Sequence, residues 1–353
     1  MKIINIIQWI RKVSRDANKS SISVILDFIK LHKDIAVSKE EYSNYRLYEA
    51  TDEFRNTYFS LANANMVWSV INPSKYACIA RDKYLSHCLL ENLQIPKSDL
   101  YIYYNPQLAT NTEKLAFNYD GVVSIIKKLN IKQCVIKPSQ DSAHGQGVVV
   151  CNDIEIFDNK CLIKKYDGET VELKNILREQ PLLFESIVKQ NHQFASFNQS
   201  SVNTVRMMTA LYPNNEVKVI ASFIKIGRAG SCVDNAGSGG NVDVAIDIPT
   251  GKLYNAIEFN SWHNIVKITH HPDTNNPIEG ELIQNWDKIV KDVCDFQARI
   301  PQIKIIGWDV AITEQGPVII EINNWWDTTG QLFIKRGWKK EVMDCYNAWN
   351  NLK

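Results

Sequence analysis

Ile3, Ile6, Ile7 and Ile10 recur at i, i+3, i+4 and i+7, and Ile22, Ile25, Leu26 and Ile29 repeat the spacing, so two amphipathic helices are predicted to open the chain. The texture changes from about residue 81. RDKYLSHCLLENLQIP reads as a capped helix ending before Pro96, DLYIYYN as a strand, and GVVSIIKKL (121–129) as a helix. QCVIKPS predicts a strand ending at Pro138, and SAHGQGVVVC a glycine-containing turn that runs into another strand. After a lysine-rich segment near Lys164, PLLFESIV, SVNTVRMMTALY and EVKVIASFIKIG read as successive strands. A hairpin follows over 307–323, with its turn placed at Gly316 and Pro317, and helical sequence closes the chain. Helices and strands mixed in this order predict an α+β fold, not a doubly wound sheet.

Composition narrows the class. A chain of 353 residues with 45% hydrophobic content can bury a large core and fits two or three domains or lobes. The formal charge of +1 gives no global nucleic-acid signature. No apolar run nears the roughly 20 residues that span a bilayer, no secretory signal is visible, and the chain reads as cytoplasmic. Eight cysteines lack CxxC pairs or zinc spacing and suit reduced thiols, most of them small core residues. Over residues 1–33 seven Lys or Arg stand against two Asp. A helical cap packed on the rest of the protein is the expectation here, with peripheral contact to an anionic membrane surface as the alternative.

The final hairpin carries the first candidate chemistry. Asp309 lies in one strand, and Glu321 and Asn323 alternate on the next, so all three can face one way. Few oxygen ligands sharing a cation with phosphate oxygens are what Mg²⁺ takes in nucleotide sites. The chain has no GxxxxGK[ST] and no GxGxxG between strand and helix, which excludes P-loop and Rossmann phosphate binding. Lys137 at a strand end, followed by Ser142, His144, Gly145, Gln146 and Gly147, could replace them as a point charge and a loop whose backbone can approach phosphate. A polar segment with Lys225, Gly227, Arg228, Asp234 and Asn235 could bind phosphate or a sugar carboxylate, or be a surface turn. His263, His270 and His271 lack metal spacing and read as surface residues. Trp325, Trp326 and Trp338 could stack on a sugar ring or belong to the core.

The strand lysine with its glycine loop, the acidic strand at Glu185, the Asn203–Arg206 strand and the D…ExN hairpin, in this order, resemble the ATP-grasp superfamily. KPSQDSAHGQGV, SVNTVRMMT, GRAGSCVDNAGSGG and GWDVAITEQGPVIIEINN are most similar to its branch associated with sugar transfer and surface polysaccharide, over roughly residues 76–335. The resemblance implies two α+β lobes clasping ATP, over 76–183 and 184–353, preceded by a helical region over 1–75. It implies ATP and Mg²⁺ (or Mn²⁺) as cofactors. Lys137 and the 142–147 loop would meet the phosphates, Glu185 and Ile187 the adenine edge, and His192 or Gln193 the ribose. Asp309, Glu321 and Asn323 would hold the metal, and Arg206 would lie near the transferred phosphoryl group. Arg228, Asn203 and Asn235 fall on the γ-phosphate or acceptor side. Asp82 and Lys83 match a family pair, but the expected second basic residue is His87, so either His87 or Lys83 serves. The activity implied is an ADP-forming carboxylate–amine ligase making an amide through an acyl phosphate, in surface polysaccharide biosynthesis. Its partners would be a small-molecule or glycan carboxylate and an amine. A phosphotransferase acting on a sugar or lipid-linked hydroxyl is the alternative, and a nucleotide-binding scaffold a third reading.

Overall fold

The computed structural model describes residues 2–140, 145–157, 160–177, 179–236, 240–261 and 263–352. Two seven-stranded sheets dominate the fold, which is α+β. The first is built from β1 (Leu100–Tyr104), β2 (Leu115–Ala116), β3 (Cys134–Pro138), β4 (Val149–Phe157), β5 (Lys160–Lys165), β6 (Thr170–Glu172) and β7 (Leu182–Glu185), in the order β2-β1-β7-β3-β4-β5-β6. All its pairings are antiparallel except β1–β2. One face takes the helix Tyr119–Leu129, whose Val122, Ile125 and Ile126 pack with Ile102, Ile136 and Phe184. Asn118 caps that helix by accepting from Gly121 N, and Asn130 ends it in the left-handed conformation.

The second sheet comprises β8 (Thr204–Leu211), β9 (Val217–Ile226), β10 (Val242–Ile246), β11 (Leu253–Ser261), β12 (Asn264–Lys267), β13 (Ile305–Thr313) and β14 (Gly316–Asn323), in the order β12-β11-β10-β9-β8-β13-β14, wholly antiparallel. It is covered on both faces. The helices Lys83–Asn92 and Trp286–Ala298 cover one, through Leu90, Ile289 and Val293. The helices Leu61–Ile71 and Lys339–Asn350 cover the other, through Val67, Ile71 and Val342. All nine residues of β13 are consequently buried, which explains its near-continuous apolar sequence.

The β13–β14 turn differs from the sequence reading. Thr313 pairs with Gly316 and Ile312 with Pro317, so the turn is Glu314–Gln315 and the Gly-Pro pair begins β14. Gly316 takes φ 126°, outside the range of L side chains. Pro317 is tolerated because β14 is the sheet edge.

The predicted N-terminal helices are Lys2–Asp16 and Ser21–Ile35. They pack through Val13, Val24, Leu31 and Ile35 against Tyr42, Tyr48, Tyr58 and Leu332. This layer is tied to the second sheet's lobe by Gln331, whose amide accepts from Phe59 N (2.8 Å) and donates to Phe59 O (3.0 Å). Among the described residues no helix is long and apolar enough to cross a membrane.

Candidate functional site

A cavity of about 470 Å³ lies between the two sheets. Part of its lining is apolar: Val135, Val148 and Val150 from the first sheet's side, with Ile187 and Val188. Pairing of β7 stops at Glu185, so the backbone of 187–189 runs along the cavity beyond the ladder. The lining also carries charge: Lys83 faces Glu321, Lys225 faces Asp309 and Lys137 faces Glu185.

The two carboxylates owe their position to register. Asp309 of β13 lies directly opposite Glu321 of β14, and Gly307 opposite Asn323. Opposed residues share a face, with Cβ atoms about 5 Å apart. Arg206 of β8 is the partner of Asp309 on the other side. It grips the carboxylate bidentately, Nε to Oδ1 at 2.7 Å and Nη2 to Oδ2 at 3.1 Å. Lys225 Nζ adds a contact at 3.1 Å. Burial pushes the Asp309 carboxyl upward, but Arg206 and Lys225 outweigh it and hold the group well below the usual carboxylate range. Glu321 has its own cation, Lys83 Nζ at 3.1 Å.

Among the described residues no group of three His, Cys, Asp or Glu could hold a metal alone. Asp309 and Glu321 supply two anionic groups, and phosphate oxygens would have to complete an Mg²⁺ shell. Asn323 Nδ2 is buried and without a hydrogen-bond partner; as an N–H donor it cannot ligate a cation, and only the amide oxygen could. The two opposed carboxylates fit the ion. Asn323 itself does not line the cavity.

Lys137 leaves β3 toward Glu185 of β7, Nζ to Oε2 at 2.9 Å, and the same oxygen accepts from Ser98 Oγ at 2.7 Å. His87 lies behind Lys83 and Lys137 in a small recess and not on the large cavity. Burial, with Lys97 beside it, lowers its pKa to about 4, so the imidazole is neutral at pH 7. Of the two candidates for the second basic contact, Lys83 is the one at the cavity. Ser142 and His144 lie outside the described residues. Gly145 lines the cavity and approaches the opposite lobe so closely that a Cβ would meet Val233 Cγ1 at 2.7 Å. Gln146 and Gly147 are exposed in the same turn.

Several sequence expectations are corrected. Asn203 is wholly buried, its Nδ2 donating to Gln190, Phe194 and Asn198 and its Oδ1 accepting from Gly227 N, so it organises the fold and cannot meet a substrate. His192 starts the helix His192–Phe197, where it is exposed outside the cavity, and Gln193 donates to Leu282 O. Lys189 and Gln190 line the cavity instead. Arg228 is taken up by Asp273 (2.7 Å) and Glu258 (3.0 Å) away from the cavity, whereas Asn235 lines it. Arg206 is not a cavity residue; it acts on Asp309. His271 is buried, with Nε2 at 3.0 Å from Gly227 O, and burial lowers its pKa. Trp326 and Trp338 are core, and Trp325 leans edge-on against Trp68 with centroids 4.1 Å apart. Lys225 and Asp234 were grouped with a loop in the sequence. Lys225 is a β9 residue, and a lysine inside VIASFIKI is itself a signal, since lysine is seldom buried unpaired. Asp234 accepts from Thr204 N at 2.8 Å and also lines the cavity.

A family model of sugar-transfer-associated ATP-grasp proteins matches residues 63–345. The chain belongs to that family. Solved structures match at low identity and with TM-scores below 0.5. Phosphoribosylamine–glycine ligase from Thermotoga maritima matches at 11% identity and a TM-score of 0.47, covering 82% of this chain and 60% of that one. The VanG D-Ala:D-Ser ligase from Enterococcus faecalis gives 11%, 0.45, 77% and 62%. The ATP-grasp ligase PsnB with its minimal precursor gives 12%, 0.40, 79% and 63%, so this ATP-grasp chain spans under two thirds of that structure's length. No curated protein sequence matches the chain.

Proposed function

We propose that this ATP-grasp protein is an Mg²⁺- and ATP-dependent carboxylate–amine ligase. The observation that carries the reading is the set of groups lining one cavity: apolar Val135, Val150 and Ile187, together with lysines 83 and 137 and with Asp309 opposite Glu321. That combination suits base, phosphates and metal. Asp309 and Glu321, with Asn323 beside them, would hold Mg²⁺ or Mn²⁺, which when bound offsets triphosphate charge.

The chain's own residues orient and enclose. Lys137 and Lys83 would exchange their carboxylate partners for phosphate oxygens. Lys225 stands where a transferred phosphoryl group would develop charge, and Arg206 keeps Asp309 ionised and fixed. Gly145 and the 232–235 segment close the cavity from opposite lobes and exclude water. A substrate carboxylate oxygen attacks the γ-phosphorus as the bond to ADP breaks. An amine nitrogen then bonds to the acyl carbon, phosphate leaves, and the nitrogen gives up a proton.

The family's association with sugar transfer supports a sugar acid as the carboxylate and an amino acid or other amine as its partner, in cytoplasmic steps of surface-polysaccharide synthesis. The test is a panel of sugar acids and amino acids incubated with Mg²⁺, ATP and hydroxylamine. Hydroxamate and ADP formed together by the native chain, and by neither product with Glu321→Gln, is the expected result. ADP and a phosphorylated sugar without hydroxamate would favour a phosphotransferase.

A further inference from the structure

The helix Ser21–Ile35 has a second apolar side that the fold leaves in solvent. In the helix Ser21–Ile35, Val24, Leu31 and Ile35 face the core. Ile22, Leu26 and Ile29, spaced i, i+4, i+7, lie on the opposite side, and Lys33 extends the stripe. Ile22 is 71% and Leu26 63% exposed. Three such side chains in one exposed stripe call for a covering surface. The preceding helix adds Ile6 and Ile7, both exposed. It packs against its neighbour through Trp9 on Phe28, centroids 5.1 Å apart.

Charge decides what covers the stripe. Over residues 2–35 seven Lys or Arg stand against three Asp. One of these acids, Asp27, is turned to Arg55 at 2.9 Å and to Tyr42 at 2.6 Å. Arg11, Lys12, Arg15, Lys30 and Lys33 are exposed around the apolar residues. A second copy of this face would bring like charge against like. An anionic surface with an apolar interior matches both features.

We propose that these two helices dock the protein flat on an anionic phospholipid bilayer, with Ile22, Leu26 and Ile29 entering the acyl boundary and the cations meeting headgroups. Neither helix spans the bilayer. In the helix Ser21–Ile35 the cap expected from sequence and the membrane contact are then opposite sides of one helix. This inference is independent of the reaction assigned to the cavity.

The test is co-sedimentation of the full chain at about 150 mM salt, where the Debye length is about 8 Å, with vesicles of phosphatidylcholine alone and with phosphatidylglycerol added. Binding to the anionic vesicles only is expected. The triple variant Ile22→Ser, Leu26→Ser, Ile29→Ser should weaken it by about a thousandfold or more, the scale of losing roughly three inserted aliphatic side chains. Should that variant misfold by circular dichroism, Lys30→Glu with Lys33→Glu is the second probe, expected to give a loss of similar size. No binding to either vesicle, equal binding to both, or unchanged binding by a folded variant would overturn the proposal. So would concentration-dependent dimers in sedimentation velocity that the triple variant abolishes, because the face would then be a self-interface.

Discussion

Oδ1 of Asp309 accepts from Arg206 Nε at 2.7 Å and from Lys225 Nζ at 3.1 Å, yet only Lys225 lines the cavity. The two cations therefore have separable roles. Arg206→Ala leaves a buried carboxylate with one partner fewer and should destabilise the fold by about 3 kcal/mol, the scale of a broken buried pair. It should also lower kcat by about 10² as Asp309 loosens. Lys225→Met keeps the Arg206 fork. It should lower kcat at least as far with a smaller loss in denaturant midpoint, and the reverse ranking of the two stability losses would contradict the assignment.

Glu321 sits opposite Asp309, is about a third exposed, and is paired to Lys83. Glu321→Gln should abolish Mg²⁺-dependent ADP release while changing stability by less than about 1 kcal/mol, since partly exposed ion pairs contribute little. Titration of Mg²⁺ against ADP release, with a parallel thermal melt, checks both halves.

Lys137→Ala should weaken ATP binding by about tenfold or more, the scale of one charge-assisted phosphate contact. It strands Glu185, which retains Ser98. Calorimetry with ATP is the measurement, and unchanged affinity would remove Lys137 from the nucleotide site.

His87 gives a pH signature. Its folded pKa of about 4 lies below the ordinary histidine value of 6.5, because burial disfavours the imidazolium. Between these values the unfolded chain binds more protons, so His87 costs stability as pH falls through that window and none above it. His87→Gln should flatten the decline of stability between about pH 6.5 and 4 by an amount on the order of 1–3 kcal/mol. Denaturant melts at several pH values check it, and parallel slopes would refute it.

Part of the candidate site is legible in the sequence: alternation in β14 sets Glu321 and Asn323 on one face, register brings Asp309 beside Glu321, and Lys137 is marked by its place at the end of β3 before a glycine-bearing loop. Lysines mask β5 and β6 in the sequence, although Cys161 and Ile163 alternate inward and Asp167-Gly168 marks the turn between the strands. Asn203 and Gln331 could not be read. Each satisfies backbone groups brought near by tertiary folding, Gln331 across 272 positions to Phe59, and a polar residue held for that purpose looks in sequence like a ligand contact. Helix periodicity located the N-terminal helices but not the division of the apolar residues of Ser21–Ile35 between two opposite sides.

The central claim is that a substrate carboxylate is activated by phosphorylation within the cavity bounded by Lys137, Lys225, Asp309 and Glu321. Supplying a reactive carboxylate labelled with ¹⁸O, together with ATP, Mg²⁺ and its amine, and measuring the released inorganic phosphate by mass spectrometry tests this most directly. One labelled oxygen per phosphate, formed in step with amide and ADP, is the expected result. Unlabelled phosphate, or a phosphorylated hydroxyl formed without any amine, would contradict the account.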